Sequence, residues 1–183
     1  MSPRENVREQ LLEVAESIVK TLGAAKLTFD ELSRTSGVTR GGITYHFPTK
    51  KRLLSALLER DVRQWEEREA QLRPVGCSEA SADLLGYVRA FIVENEEQRR
   101  FVGGMLSAVA QDPNLLDPVR AMQAARVAHL DWNGEELRKQ VLRFAAEGMF
   151  WSEFFRCTEL PAGVRERVAE MIELLAVEWT QAR

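Results

Sequence analysis

Cysteine and histidine are nearly missing from this 183-residue chain, which holds two of each: Cys77, Cys157, His46 and His129. The cysteines lie far apart, with no CxxC pair and no histidine cluster beside them. That pattern argues against a His/Cys metal site and for reduced thiols, with a redox switch as the lesser alternative. Long apolar runs are missing too. No stretch approaches the roughly 18 residues of a membrane span, and the opening "MSPRENVREQ" lacks the apolar centre of a signal peptide. The expected location is the cytoplasm, with no membrane partner and no cofactor. Alternating apolar and polar residues, internal repeats and low-complexity segments are likewise lacking. What remains is an ordinary globular composition, 45% hydrophobic and 29% charged, on a chain long enough for one or two small domains.

The apolar spacing is helical throughout, so the expected fold class is all-α. Val7, Leu11, Leu12, Ala15, Ile18, Val19 and Leu22 form one stripe, predicting a helix over 5–22 that Gly23 ends. Thr28 followed by Glu31 reads as a capping box opening a short helix that Gly37 closes. Thr39 then opens a second short helix ending at Tyr45 or His46. Pro48 breaks the chain, and Thr49 caps a long helix to about residue 72. Further helices are expected at about 79–95, 97–110, 118–131, 134–157 and 161–182. Pro113, Pro118 and Pro161 each fit a first-turn position.

Charge divides unevenly along the chain. Residues 1–60 carry 10 Lys/Arg against 7 Asp/Glu, while residues 61–183 carry 15 against 21. Arg34, Arg40, Lys50, Lys51, Arg52 and Arg60 oppose Glu59 alone over residues 34–60. Such a patch is either a footprint for a polyanion or a solvated basic surface. Two short helices joined at Gly37 have the length and punctuation of a helix-turn-helix, with Phe29, Leu32, Val38, Ile43 and Phe47 at its core positions. Thr39, Arg40, Thr44, Tyr45 and His46 crowd the second helix with donors, and Lys50, Lys51 and Arg52 oppose the dipole of the next. Gly41 and Gly42 are a puzzle there, since each glycine in a helix costs about 1 kcal/mol relative to alanine. Their backbone either approaches a phosphate or base edge or marks a close helix–helix contact. His46 is read as a phosphate contact, with a core role as the alternative; His129 either caps helix-end carbonyls or senses a ligand.

The run "LTFDELSRTSGVTRGGITYHFPTKKRLL" resembles the DNA-binding domain of the TetR family of bacterial transcriptional regulators, over roughly residues 5–60. The family pattern is met at Gly37, Val38, Thr39, Arg40, Gly41, Ile43, His46, Phe47, Thr49 and Lys50. The resemblance implies that Thr28 holds a phosphate, that Thr39, Arg40 and Gly41 sit near base edges, and that Tyr45, His46 and Lys50 clamp the sugar-phosphate backbone of a double-stranded DNA operator. Thr44 stands where relatives carry tyrosine, and Gly42 where they often carry a side chain. Both departures place base readout on Arg40, which can pair bidentately with guanine.

The division expected from sequence is a helix-turn-helix domain over 1–50, extended by a linking helix over 49–72, and a ligand-binding and dimerisation domain over 73–183. The segment 134–157 is apolar on nearly every side and needs more than one cover. A homodimer seam through 137–157 and 161–180 is expected, with Gly148, Ser152 and Phe155 on one helix and Val168, Met171, Ile172, Leu175 and Trp179 on the next; an intramolecular core is the alternative. The resemblance also implies a pocket for a small-molecule inducer. Phe91, Phe101, Met105, Met122, Phe144, Met149 and Trp151 either line it or fill core. The expected function is a ligand-responsive repressor binding a palindromic operator as a dimer. A helical interaction module without operator binding is the alternative. An enzyme is not expected: Glu147 and Glu153 are the only carboxylates placed for acid–base work, and Arg143 is set one turn before Glu147 for an ion pair.

Overall fold

The computed structural model describes residues 3–93 and 95–181, and among them every regular element is a helix. Helices α1 (Pro3–Leu22), α2 (Phe29–Ser36), α3 (Arg40–His46) and α4 (Lys50–Gln71) come first. Helices α5 (Glu79–Ile92) and α6 (Glu96–Gln111) follow, then a 3-10 turn over Pro113–Leu116, α7 (Asp117–Val127), α8 (Gly134–Phe154) and α9 (Val164–Gln181). The all-α expectation holds, and none of the described helices is long and apolar enough to cross a membrane. Several ends differ from the sequence reading. α7 stops at Val127, α8 at Phe154, and α9 starts only at Val164. Gly163, at φ +75°, is the third residue of a turn in which the Pro161 carbonyl accepts the Val164 N–H at 3.0 Å. Pro161 therefore precedes the helix instead of opening it. Residues 94 and 182, included in two of the expected helices, lie outside the described residues.

The chain forms two compact units: residues 1–63 with 95–126, and residues 64–94 with 127–183. In the first, Leu11, Leu12, Ala15 and Val19 of α1 are wholly buried against Leu32 of α2, Ile43 of α3 and Leu53 and Leu57 of α4. Phe101 and Met105 of α6 complete this core. Each of these side chains except Ala15 contributes about 1.5–3 kcal/mol of burial. α6 meets α1 closely enough that the Ala24 N–H donates to the Gly104 carbonyl at 2.8 Å.

A charged network also joins these helices. Arg60 reaches Glu9 and lies 3.1 Å from Glu16, while Lys20 bridges Glu16 at 2.7 Å and Glu97 at 3.2 Å. Beside it, Asp61 accepts a hydrogen bond from Gln98 Nε2 at 2.8 Å. Burial pushes the Asp61 carboxyl up to about 6, with Glu16 adding to the rise and Gln98 and Lys20 opposing it. The folded protein thus keeps this proton where the unfolded chain has already released it. The resulting stabilisation is complete below about pH 4 and is lost as pH rises through about 6. Asp61→Asn is accordingly expected to stabilise the protein by about 3 kcal/mol at pH 7.5 and by little at pH 4. Urea unfolding at the two pH values checks this, and an equal gain at both would rule out the titration of Asp61 as its source.

In the second unit α5 is central. Leu84, Leu85, Val88 and Ile92 pack against Leu142 and Ala146 of α8 and Ile172 and Ala176 of α9. Two ion pairs tie α9 down: Arg89–Glu173 at 2.7 Å and Arg165–Glu153 at 2.8 Å. The Tyr87 hydroxyl donates to Glu147, and the Arg143 guanidinium lies 5.7 Å from the centre of the Tyr87 ring. Both acid–base candidates are therefore held in structural contacts, and the partner given to Glu147 is a tyrosine hydroxyl on α5.

Candidate nucleic-acid interface

Three threonine caps organise the N-terminal helices. Thr28 Oγ1 accepts the Glu31 N–H at 3.1 Å, Thr39 Oγ1 the Gly42 N–H at 3.2 Å, and Thr49 Oγ1 the Arg52 N–H at 3.2 Å. Only half of the expected capping box forms. The Glu31 carboxylate turns instead to Arg34, with contacts of 2.5 and 3.1 Å, and to the Thr35 hydroxyl. That guanidinium holds the Glu31 carboxyl below the usual carboxylate range. Gly37 sits at φ 71°, the left-handed conformation that favours glycine, and its N–H closes α2 on the Ser33 carbonyl. The Ser33 hydroxyl then donates to the Val38 carbonyl at 2.7 Å, pinning the turn into α3. Leu32, Ile43 and Phe47 are buried beneath, with Phe29 and Val38 packed against them, so the inner face of the unit is as expected.

The outer face carries the residues singled out from sequence. Thr28, Thr39, Arg40, Gly41 and Tyr45 are exposed, and Gly42, Thr44, His46 and Lys50 are half-buried. Tyr45 is 68% exposed, and its ring meets His46 edge-on at 5.1 Å. The Thr44 hydroxyl donates back to the Arg40 and Gly41 carbonyls at 3.0 and 3.1 Å, which turns its proton away from solvent. Arg40 is thus the long polar side chain that opens α3. The two glycines differ in kind. A Cβ on Gly42 would lie 2.9 Å from Val38 Cγ1, a side-chain methyl that would have to shift, so the turn's own packing favours that glycine. A Cβ on Gly41 would meet nothing within 4 Å. Nothing among the described residues demands the second absence.

The basic patch is less free than its sequence suggests. Arg34 is paired with Glu31, Arg40 with Asp30 at 2.5 Å, and Lys51 with Asp112 at 2.7 Å. Arg60, only 15% exposed, points into the α1 carboxylates and leaves the patch altogether. Lys50 Nζ donates to the Ala25 carbonyl at 3.4 Å, and burial lowers its pKa.

The pocket candidates are scattered. Phe101 and Met105 are core residues of the first unit, each 3% exposed, and Met122 is half-buried on α7 in that same unit. Phe91 and Met149 pack on the core of the second unit. Phe144 and Trp151 face outward from α8, 62% and 39% exposed. They join a stripe of Leu137, Val141, Phe144, Gly148, Trp151 and Phe155, spaced at three and four residues along one face. On α9, Val168, Met171 and Leu174 are exposed in the same way. Of the expected seam, Gly148, Phe155, Val168 and Met171 lie on these outward faces, and Ser152 is half-buried. Ile172 instead belongs to the unit's own core at 6% exposure, with Leu175 and Trp179 packed partly against it. Leu137, Val141 and Leu174 share these outward faces, and their sequence signal is a second apolar register running beside the buried Leu142–Ala146–Phe150 one.

A capped, two-helix turn whose second helix presents its polar side to solvent defines a helix-turn-helix protein. Residues 11–57 match the family described as bacterial regulatory proteins, tetR family, and residues 83–176 match the tetracyclin repressor-like C-terminal domain. The chain belongs to the tetR family of bacterial regulators. The HTH-type transcriptional regulator TtgR of Pseudomonas putida is 33% identical over 90 residues, covering 49% of this chain and 41% of that one. The chain spans about two fifths of the length of the curated relatives it matches. Among solved structures, the transcriptional regulator SCO7518 of Streptomyces coelicolor superposes with a TM-score of 0.70 at 16% identity, covering 92% of this chain and 97% of that one. The multidrug binding protein EbrR, complexed with ethidium, does so with a TM-score of 0.60 at 18% identity, over 92% and 97%.

Proposed function

We propose that this regulator binds a palindromic double-stranded DNA operator as a homodimer in the cytoplasm, and that a small-molecule inducer releases it. The observation that carries the reading is the free outer face of α3: Arg40, Gly41 and Tyr45 stand exposed over a buried Leu32–Ile43 anchor. Two such helices, one per protomer, would enter successive major grooves about 34 Å apart. The outward stripes of α8 and α9 support the dimer, because a second copy of the chain would cover the apolar side chains that each leaves exposed. The ethidium complex of EbrR, a structural neighbour, supports a small-molecule ligand. The functional division follows the sequence reading: residues 1–50 and the linking helix for DNA, residues 73–183 for ligand and partner.

The test is selection of bound sequences from a random DNA pool at a stated salt concentration. An enriched inverted repeat supports operator binding and dimeric symmetry together; a pool without enrichment, from a folded dimer, points to an interaction module instead. Gly41 supplies a sharper check. Gly41→Ala fills open space in a helix, so stability is expected to rise by about 1 kcal/mol. Operator affinity is expected to fall about tenfold, because the added methyl occupies the space a phosphate or base edge needs. A more stable variant that binds the operator undiminished would remove Gly41 from the contact.

A further inference from the structure

Asp30 and Arg40 meet across the helix-turn-helix. The acid is on the first turn of α2 and the arginine is the first residue of α3, and Arg40 Nη1 donates to Asp30 Oδ1 at 2.5 Å. Their side chains are 78% and 65% exposed, so the contact lies on the outer face and not in the core. An exposed ion pair contributes little to stability, so, the α2 dipole aside, folding gives little reason to set an acid against Arg40 on a DNA-binding face. Carboxylates there repel phosphates and weaken general affinity.

We propose that Asp30 is a positioning residue for base readout: it holds Arg40 by Nη1 and leaves the Nε–Nη2 edge free to pair with a guanine. Arginine carries five donors in a rigid fork, and this contact occupies one of them. The opposite edge still offers the two parallel donors that match guanine O6 and N7. Asp30 also sits at the positive end of the α2 dipole, a favourable place for its charge. An unanchored arginine would lose the freedom of its long stem on meeting a base, whereas an anchored one has already lost part of it. The repulsion of phosphates weakens binding to every sequence alike, so the preference for guanine comes from the anchored arginine. Specificity, not strength, is what the pair supplies.

This inference rests on the operator reading, and the experiment separates the two. The full chain, Asp30→Ala, Asp30→Asn, Arg40→Ala and the Asp30→Ala/Arg40→Ala double variant are each incubated with the random pool and then with operators varied one base pair at a time. Thermal melting confirms that the variants fold. The wild type is expected to prefer guanine at one position per half-site, and Arg40→Ala to lose that preference. Asp30→Ala should reduce it about five- to tenfold at the same base pair, with non-specific affinity unchanged or raised. Asp30→Asn, which keeps an acceptor oxygen, should fall between, and the double variant should match Arg40→Ala. An Asp30→Ala protein that keeps the wild-type preference, or changes it at another base pair, overturns the role given to Asp30. A wild type that selects no sequence overturns the operator reading itself.

Discussion

Phe144→Asp is expected to convert the proposed dimer into monomers at micromolar concentration and to reduce affinity for a two-half-site operator at least about a hundredfold. Phe144 is 62% exposed in the isolated chain, so the substitution touches little of the protomer's own core. In a symmetric dimer the same residue occurs twice and faces the partner's copy of the same surface. Each copy would bury a carboxylate without a partner, at several kcal/mol, and would remove an aromatic anchor. Binding to a single half-site should change far less, because the α2–α3 surface is untouched. Sedimentation and titration of full and half operators check the prediction. A dimer that survives Phe144→Asp would move the interface off this face of α8.

Most of the first unit was legible because its signals are local. Thr28, Gly37, Thr39 and Thr49 are caps or stops whose chemistry acts within four residues, and the structure places each where the sequence did. Ion pairs are not local in that sense. Arg40 with Asp30 and Lys51 with Asp112 join residues from different elements, so a patch counted from charges in sequence looked freer than it is. Arg60 failed for the same reason: its helix turns it toward Glu9 and Glu16 of α1. The two glycines were read as one feature. The structure divides them, since only the Cβ of residue 42 would collide, and it does so with Val38 of the preceding turn.

The second unit was harder to read because α8 is apolar on two faces. Composition shows that such a helix needs two covers but does not say which residues meet which. Phe144 and Trp151 were grouped with pocket candidates by side-chain type; their register puts them with Leu137 and Val141 on the outward face. The apolar stripe of α9 takes in both Met171 and Ile172, yet neighbouring positions on a helix point about 100° apart. One is 56% exposed and the other 6%. Phe101 and Met105 were assigned by chain order to the C-terminal region, whereas α6 packs with α1 in the first unit.

That packing of α6 sets the second large effect, at Gly104. A Cβ there would lie 2.1 Å from the Val19 carbonyl oxygen, 2.9 Å from its carbonyl carbon and 2.8 Å from Val19 Cγ1. The first two are backbone atoms of α1, and the same Val19 carbonyl accepts the Gly23 N–H at 3.0 Å, so a rotamer change cannot relieve the collision. α6 would have to move outward, lengthening the 2.8 Å Ala24–Gly104 hydrogen bond and loosening Phe101 and Met105. Gly104→Ala is therefore expected to cost about 3 kcal/mol and lower the melting temperature by about 10 °C. Gly148→Ala is the control, since a Cβ there meets nothing within 4 Å and the protomer should tolerate it. The strain also has a route to the proposed DNA face. The turn from Gly23 to Leu27 that receives α6 leads directly into Thr28, the cap of α2, and Leu27 is wholly buried beside it. Operator affinity should fall in Gly104→Ala even at temperatures where the protein remains folded, while Gly148→Ala leaves the half-site contact unchanged. Equal stability of the two alanine variants would show that α6 does not approach α1 as closely as this contact requires.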